Sequence, residues 1–190
     1  GGLASQSTAR LGAVSGQAGV ALGVASTLGH LNPSFATTAS LVGLMGIGGV
    51  AGQQIAQRVE LTSLPQTVAA FHSLVGVAAS AAAIGDYINS DISALDGVHM
   101  SSIYLATVIG SVTTTGSLVA FAKLDGRLDS SPLKLKMRDT INAGLGAVTV
   151  GAGALFAAAP GVGTGTAALT SALASSGALG WHMTASIGGK

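Results

Sequence analysis

The sequence predicts an all-α integral membrane protein, a bundle of about six transmembrane helices with Gly/Ala-rich packing. Three observations predict it. First, 48% of the 190 residues are hydrophobic and only 8% are charged, with mean hydropathy +0.63; soluble domains carry about 25% charged residues. Eight basic and seven acidic side chains cannot cover the surface of a water-soluble chain this long, so the bilayer is the natural solvent. Second, the apolar residues fall in runs of about 20, the length that crosses a hydrocarbon core of about 30 Å at 1.5 Å per residue. Third, glycine supplies 29 of 190 residues, roughly double the usual ~7%, and small residues let membrane helices approach closely.

Taken in order, the runs lie at about 11–30, 37–56, 65–87, 101–122, 139–158 and 164–187. They are separated by "HLNPSF", "QRVELTSLP", "INSDISALDG", "KLDGRLDSSPLKLKMR" and "APGVG", and all four prolines sit in or beside these breaks, as proline chemistry prefers. In the first run Gly12, Gly16, Gly19 and Gly23 form a packing stripe, repeated in the second by Gly48 and Gly52. Tyr87, Tyr104 and Trp181 fall near run ends, where interfacial anchors belong. The whole chain, 1–190, reads as one transmembrane domain.

Six spans put alternate breaks on opposite sides. Arg10, Arg58, Lys123, Arg127, Lys134, Lys136, Arg138 and Lys190 then share one side, while the other carries Asp86, Asp91 and Asp96 and no Lys or Arg. The positive-inside rule makes the basic side cytoplasmic, or the matrix in a mitochondrion. The chain opens on Gly-Gly without a basic segment leading into a short apolar core, so the reading expects no signal peptide and an internal piece of a longer chain.

Several chemistries find no support. Without cysteine there is no disulfide or thiolate metal site, and a net charge of +1 is too weak a field for nucleic acid. "GIGGVA", residues 46–51, matches the loose dinucleotide pattern but lies mid-span with no strand before it. His30, His72, His99 and His182 are too scattered to predict a metal site. His182, near the basic end of its span, reads as a side chain that snorkels outward.

His72 is different. It lies seven residues past Pro65, about 10 Å along its helix, sharing a face with Ala69, Gly76, Ala79, Ser80 and Ala83. A small-residue face packs on other helices, so the ring is expected to point into the bundle. Intramembrane ionisable groups are costly and default to a functional hypothesis, often a proton relay. An imidazole suits that role because, unperturbed, it titrates near pH 6.5. The alternative is a neutral ring satisfied by a backbone carbonyl or a neighbouring threonine. Gly110, Thr113, Thr114 and Ser117 form a polar stripe at helical spacing; Thr114 and Ser117 are the candidate wall of a proton path, unless each hydroxyl bonds back to its own helix.

"RVELTSLPQTVAAFHSLVGVAA", "GSVTTTGSLVAFAKLDGRL" with "SSPLKLKMRDTINAG", and "GWHMTASIGG" together resemble the membrane domain of the proton-translocating nicotinamide nucleotide transhydrogenase. The resemblance runs in order from "GGLASQSTARLG" to "ASIGG". It implies a membrane part that carries protons, coupled to hydride transfer between NAD(H) and NADP(H). Those cofactors would be bound by partner nucleotide-binding domains and none by this chain. It makes His72 the proton-relay residue and turns the 123–138 loop toward the NADP(H)-binding domain. The implied partners are the bilayer, further transhydrogenase membrane helices and those domains, in a mitochondrial or bacterial inner membrane.

The departures count too. The family continues past "ASIGG" into an acidic "ADMP" segment, where Lys190 stands here; Ser63 occupies an acidic position, and Asp139 one that is often histidine. A second reading is therefore a transhydrogenase-derived, catalytically inactive scaffold subunit of a larger respiratory-type membrane complex. On either reading the isolated chain transfers no hydride, because that needs two nicotinamide rings held in near-attack geometry by preformed sites.

Overall fold

A computed structural model of the chain describes residues 5–189; Lys190, one of the eight bases placed on the basic side, lies outside the described residues. Six α-helices and no strand occur among the described residues: α1 (Ala9–Leu31), α2 (Phe35–Arg58), α3 (Leu64–Asn89), α4 (Gly97–Leu124), α5 (Arg138–Ala158) and α6 (Val162–Ala185). The all-α class stands, and each helix falls within a few residues of its predicted run. The ends are set by local chemistry. Asn32 takes the left-handed conformation (φ 43°) and donates its N–H to Leu28 O, closing α1 ahead of Pro33. Asp96 caps α4 by accepting the His99 N–H at 2.8 Å, which starts that helix four residues before the apolar run.

The chain divides at Arg58/Val59 into two units. In the first, α1 and α2 bury no residue. Their glycine stripes are not a close-packed seam within this unit: a Cβ built on Gly16, Gly19, Gly23, Gly48 or Gly52 meets no atom within 4 Å.

In the second unit the helices lie side by side in the order α3, α4, α6, α5. Here the close-packing glycines are ones the stripes did not single out. A Cβ on Gly110 would sit 2.6 Å from Gly76 O and 2.8 Å from Ser80 N; one on Gly180 would sit 2.5 Å from Val112 O. Hydroxyls then stitch the neighbours together. Ser80 donates to Thr107 O (3.1 Å), Ser111 to Leu173 O (2.6 Å) and Thr115 to Gly177 O (2.7 Å). Between membrane helices, where lipid is as apolar as leucine, such packing and hydrogen bonding replace the hydrophobic drive.

The apolar core gathers Ala83, Tyr87, Ile103, Phe156, Ala168 and Leu169. Tyr87 is therefore not an interfacial anchor. It is 1% exposed, packs on Phe156 with ring centroids 5.0 Å apart, and donates its hydroxyl to Gly161 O at 3.1 Å. Tyr104 likewise turns inward, donating to Thr149 O.

Five helices, α1 to α5, are long and apolar enough to cross a membrane. The sixth, predicted as a span, is 24 residues long, about 36 Å, but less apolar. The reason is its position: α6 holds ten buried residues, more than any other helix. Gly165, Ser175, Ser176, Gly177, Gly180 and His182 of α6 face protein, so its own hydropathy need not match lipid.

Within the second unit the acidic and basic loops fall at opposite ends of α4. Asp86, Asp91 and Asp96 gather where α3 ends and α4 begins; Lys123, Arg127, Lys134, Lys136 and Arg138 gather where α4 ends and α5 begins. Because the sequence has no cysteine, Ser93→Cys and Lys136→Cys can be labelled separately with a membrane-impermeant maleimide. Opposite faces of the membrane should react; reaction of both from one face would contradict an antiparallel α3–α4 pair.

Candidate functional site

The candidate site is built on α3 and α4. Pro65 sits in the first turn of α3, where its missing N–H costs nothing, and one turn later the small residues begin. Gly76, Ser80, Ala83 and Tyr87 are the buried face of the helix; Gly76 and Ser80 meet Gly110 of α4, and Tyr87 meets Gly165 of α6 and Phe156 of α5. His72 lies beside this face, not in it: the ring is exposed on the surface of the unit. Its Nδ1–H donates to Val68 O at 2.9 Å. A carbonyl only accepts, so Nδ1 carries a proton in this contact, and a ring neutral in that tautomer has its lone pair at Nε2. The ring is thus anchored at one nitrogen and open at the other.

Thr114 is half-buried on α4. Its hydroxyl donates back to Gly110 O at 2.7 Å, one of the two arrangements the sequence left open. A Cβ on Gly76 would lie 2.6 Å from Thr114 Oγ1, so Thr114 stands directly across from the residue one turn beyond His72. Ser117 is half-buried, one turn further along α4. No hydrogen bond joins His72, Thr114 and Ser117 among the described residues. The α3–α4 seam brings Thr114 to the level of Gly76, while the histidine faces outward beside it.

Three polar constellations were not read from the sequence. The Lys123 side chain, in the last turn of α4, is 4% exposed. Its ammonium donates to Ile187 O (2.6 Å), Ala185 O (2.7 Å) and Ser131 O (3.2 Å), one acceptor for each of its three donors. His182 does not snorkel outward: it is 7% exposed, and its Nδ1–H donates to Asn142 Oδ1 on α5 at 2.7 Å. At the acidic end, His99 Nε2 lies 2.7 Å from Asp86 Oδ2, and Ser90 donates to the other oxygen at 3.0 Å. The sequence signal for these pairs is weak, because each joins residues 8 to 64 positions apart.

Outside the helices, two carboxylates are held below their ordinary value near 3.8. Asp91 accepts the Ser93 hydroxyl (2.7 Å) and amide (3.0 Å); Asp129 accepts the Ser131 amide at 2.9 Å. A depressed carboxyl stabilises its turn above the ordinary value and loses that contribution as pH falls through the lowered one. Both turns are therefore intact at neutral pH.

Over residues 1–190 the chain matches the sequence family described as NAD(P) transhydrogenase beta subunit. It is 38% identical over 143 residues to the NAD(P) transhydrogenase subunit beta of Rhodospirillum rubrum, an alignment covering 72% of this chain and 30% of that protein. The subunit so named from a specific strain of the same organism matches with the same identity and coverage. The matched region thus spans 30% of the length of these curated relatives.

Proposed function

We propose, from the premise that the chain belongs to the NAD(P) transhydrogenase beta subunit family, that it is part of the membrane machinery carrying protons through such an enzyme. In this reading residues 1–190 form a transmembrane domain, and proton movement is coupled to hydride transfer between NAD(H) and NADP(H). Both nucleotides sit in partner nucleotide-binding domains. Lipid and further transhydrogenase helices surround the chain, and the basic loops face the bacterial cytoplasm or the mitochondrial matrix.

His72 is the relay. The observation that carries this is the ring itself: Nδ1–H is fixed on Val68 O, and the exposed Nε2 is left as the one acceptor of a neutral imidazole. A proton arriving at Nε2 makes a cation without disturbing the anchor, and its departure restores the starting tautomer. The seam hydroxyls Thr114 and Ser117 serve as polar wall beside that route.

The test uses the assembled enzyme, with this chain and its nucleotide-binding partners in proteoliposomes. His72→Ala should cut proton uptake driven by hydride transfer by at least about 100-fold, the low end of what one acid–base group contributes. Nucleotide binding to the partner domains should be unchanged. Uptake at the unmodified rate in His72→Ala would remove His72 from the path. Absence of coupled turnover even in the unmodified assembly would favour the scaffold reading.

A further inference from the structure

Beyond the proton path, and independently of it, the basic end of the second unit contains a cleft of about 490 Å³ between the 132–137 segment, the first turn of α5 and the end of α6. We propose that this cleft binds the phosphate of an anionic phospholipid headgroup. Its two cations are Lys134 and Arg138, joined by the hydroxyl-bearing Thr140 and Ser186. Lys123 is consumed by three carbonyls, and Arg127 is held by Asp125 at 2.6 Å over the Phe121 ring. Lys134, by contrast, is exposed and has no hydrogen-bond partner among the described residues. Of the described loop bases, Lys136 is also without a hydrogen-bond partner but does not line the cleft.

Arg138 gives its Nε to Asp139 Oδ1 at 3.0 Å, which leaves its terminal nitrogens unengaged. Asp139 also lines the cleft, and its negative charge opposes an anion. That side chain is 86% exposed, so solvent screens it, and the cleft keeps a net positive charge. The backbone adds to this. Met137, in the left-handed region (φ 55°), precedes α5 without a side-chain cap, and the first helix amide to find a carbonyl is Ile141 N on Met137 O. The three preceding amides, in the turn that lines the cleft, carry the positive end of the helix dipole.

A free phosphate would satisfy the same donors. The membrane source fits better because Leu133, Leu135 and Met137 share the lining, and the site lies at the ends of α5 and α6. There an anionic headgroup arrives with its acyl chains already beside the helices; the positive N-terminus of α5 faces it, and a basic pocket between membrane helices suits such a headgroup.

The full chain in neutral detergent, presented with phosphatidylglycerol or phosphatidylcholine of matched acyl chains, gives the test by native mass spectrometry. Each of Lys134→Ala and Arg138→Ala should reduce the phosphatidylglycerol preference about fivefold, and the double variant about 25-fold. Asp139→Asn, which removes the opposing charge, should raise it two- to threefold or more. Arg127→Ala, outside the cleft, should leave it unchanged. Preference retained in the double variant, lost equally in Arg127→Ala, or not raised by Asp139→Asn would overturn the site. Displacement of the lipid by millimolar inorganic phosphate would assign the cleft to a free anion and overturn the lipid source.

Discussion

Gly110→Val should abolish the close approach of α3 and α4 and destabilise the chain by about 3 kcal/mol or more, the upper end of overpacking costs. The Cβ alone would sit 2.6 Å from Gly76 O and 2.8 Å from Ser80 N. Both are backbone atoms of a helix, so the clash cannot be relieved by a rotamer change; α3 as a whole must retreat. Retreat breaks the Ser80 hydroxyl bond to Thr107 O and moves Thr114 away from the turn beyond His72. Gly85→Ala on α3 is the matched control, because a Cβ there meets nothing within 4 Å. It should be neutral, or stabilising by up to about 1 kcal/mol through helix propensity. Denaturant titration in mixed micelles measures both. Equal midpoints for the two variants would mean that the seam does not depend on its glycines.

That contrast explains how far the fold was legible. The helices could be read because apolar run length and the proline-bearing breaks act locally: "HLNPSF" carries its own αL asparagine, and "LDGVH" its own aspartate cap. Charge separation was legible for the same reason, since Asp86, Asp91 and Asp96 fall at one turn and the loop bases at another. Which glycines pack was not. A glycine four residues from another marks a face that allows contact, and only the partner helix decides whether contact occurs. The stripes on α1 and α2 meet nothing in their own unit, while Gly110 and Gly180 carry the seams.

The candidate site divides in the same way. His72 stood out because a lone imidazole in an apolar run is expensive wherever it points. Its direction could not be read: Gly76 and Ser80, four and eight residues on, turn toward α4 while His72 stays exposed beside them. Thr114 bonding back to Gly110 O follows from local geometry. Ser111 and Thr115, whose hydroxyls reach across to α6, sit one position away from the stripe at 110, 113, 114 and 117. A shift of one residue moves a side chain by 100° around the helix, enough to exchange one neighbour for another.

Lys123→Met should cost about 2–5 kcal/mol, since hydrogen bonds to a charged group contribute about 1.5–3 kcal/mol each and the orphaned acceptors are partly buried. Among the described bases counted toward the inside of the membrane, Lys123 is the one turned into the protein, at 4% exposure. No carboxylate bonds it among the described residues. Instead its three donors meet Ser131 O in the loop, Ala185 O at the last residue of α6 and Ile187 O just beyond. The charge is thus balanced by carbonyl dipoles at a helix C-terminus, where the macrodipole favours a cation. The same ammonium fastens two segments that otherwise share little else. Leu133 N donates to Ala185 O at 3.0 Å, and Gly189 N to Ser130 O at 2.8 Å. Methionine keeps the length and apolar stem but takes the donor from Ser131 O and Ile187 O, while Ala185 O keeps only the Leu133 amide. The Leu133 and Gly189 amides should then exchange hydrogen faster, whereas amides in the α3–α4 seam should not. Lys123→Arg should fail to rescue, because a planar fork cannot replace donors that diverge from one atom. The control is Lys134→Met, exposed and unbonded, expected to stay within about 0.5 kcal/mol. If Lys123→Met and Lys134→Met unfold at the same denaturant concentration, the cage is not what holds the loop on α6.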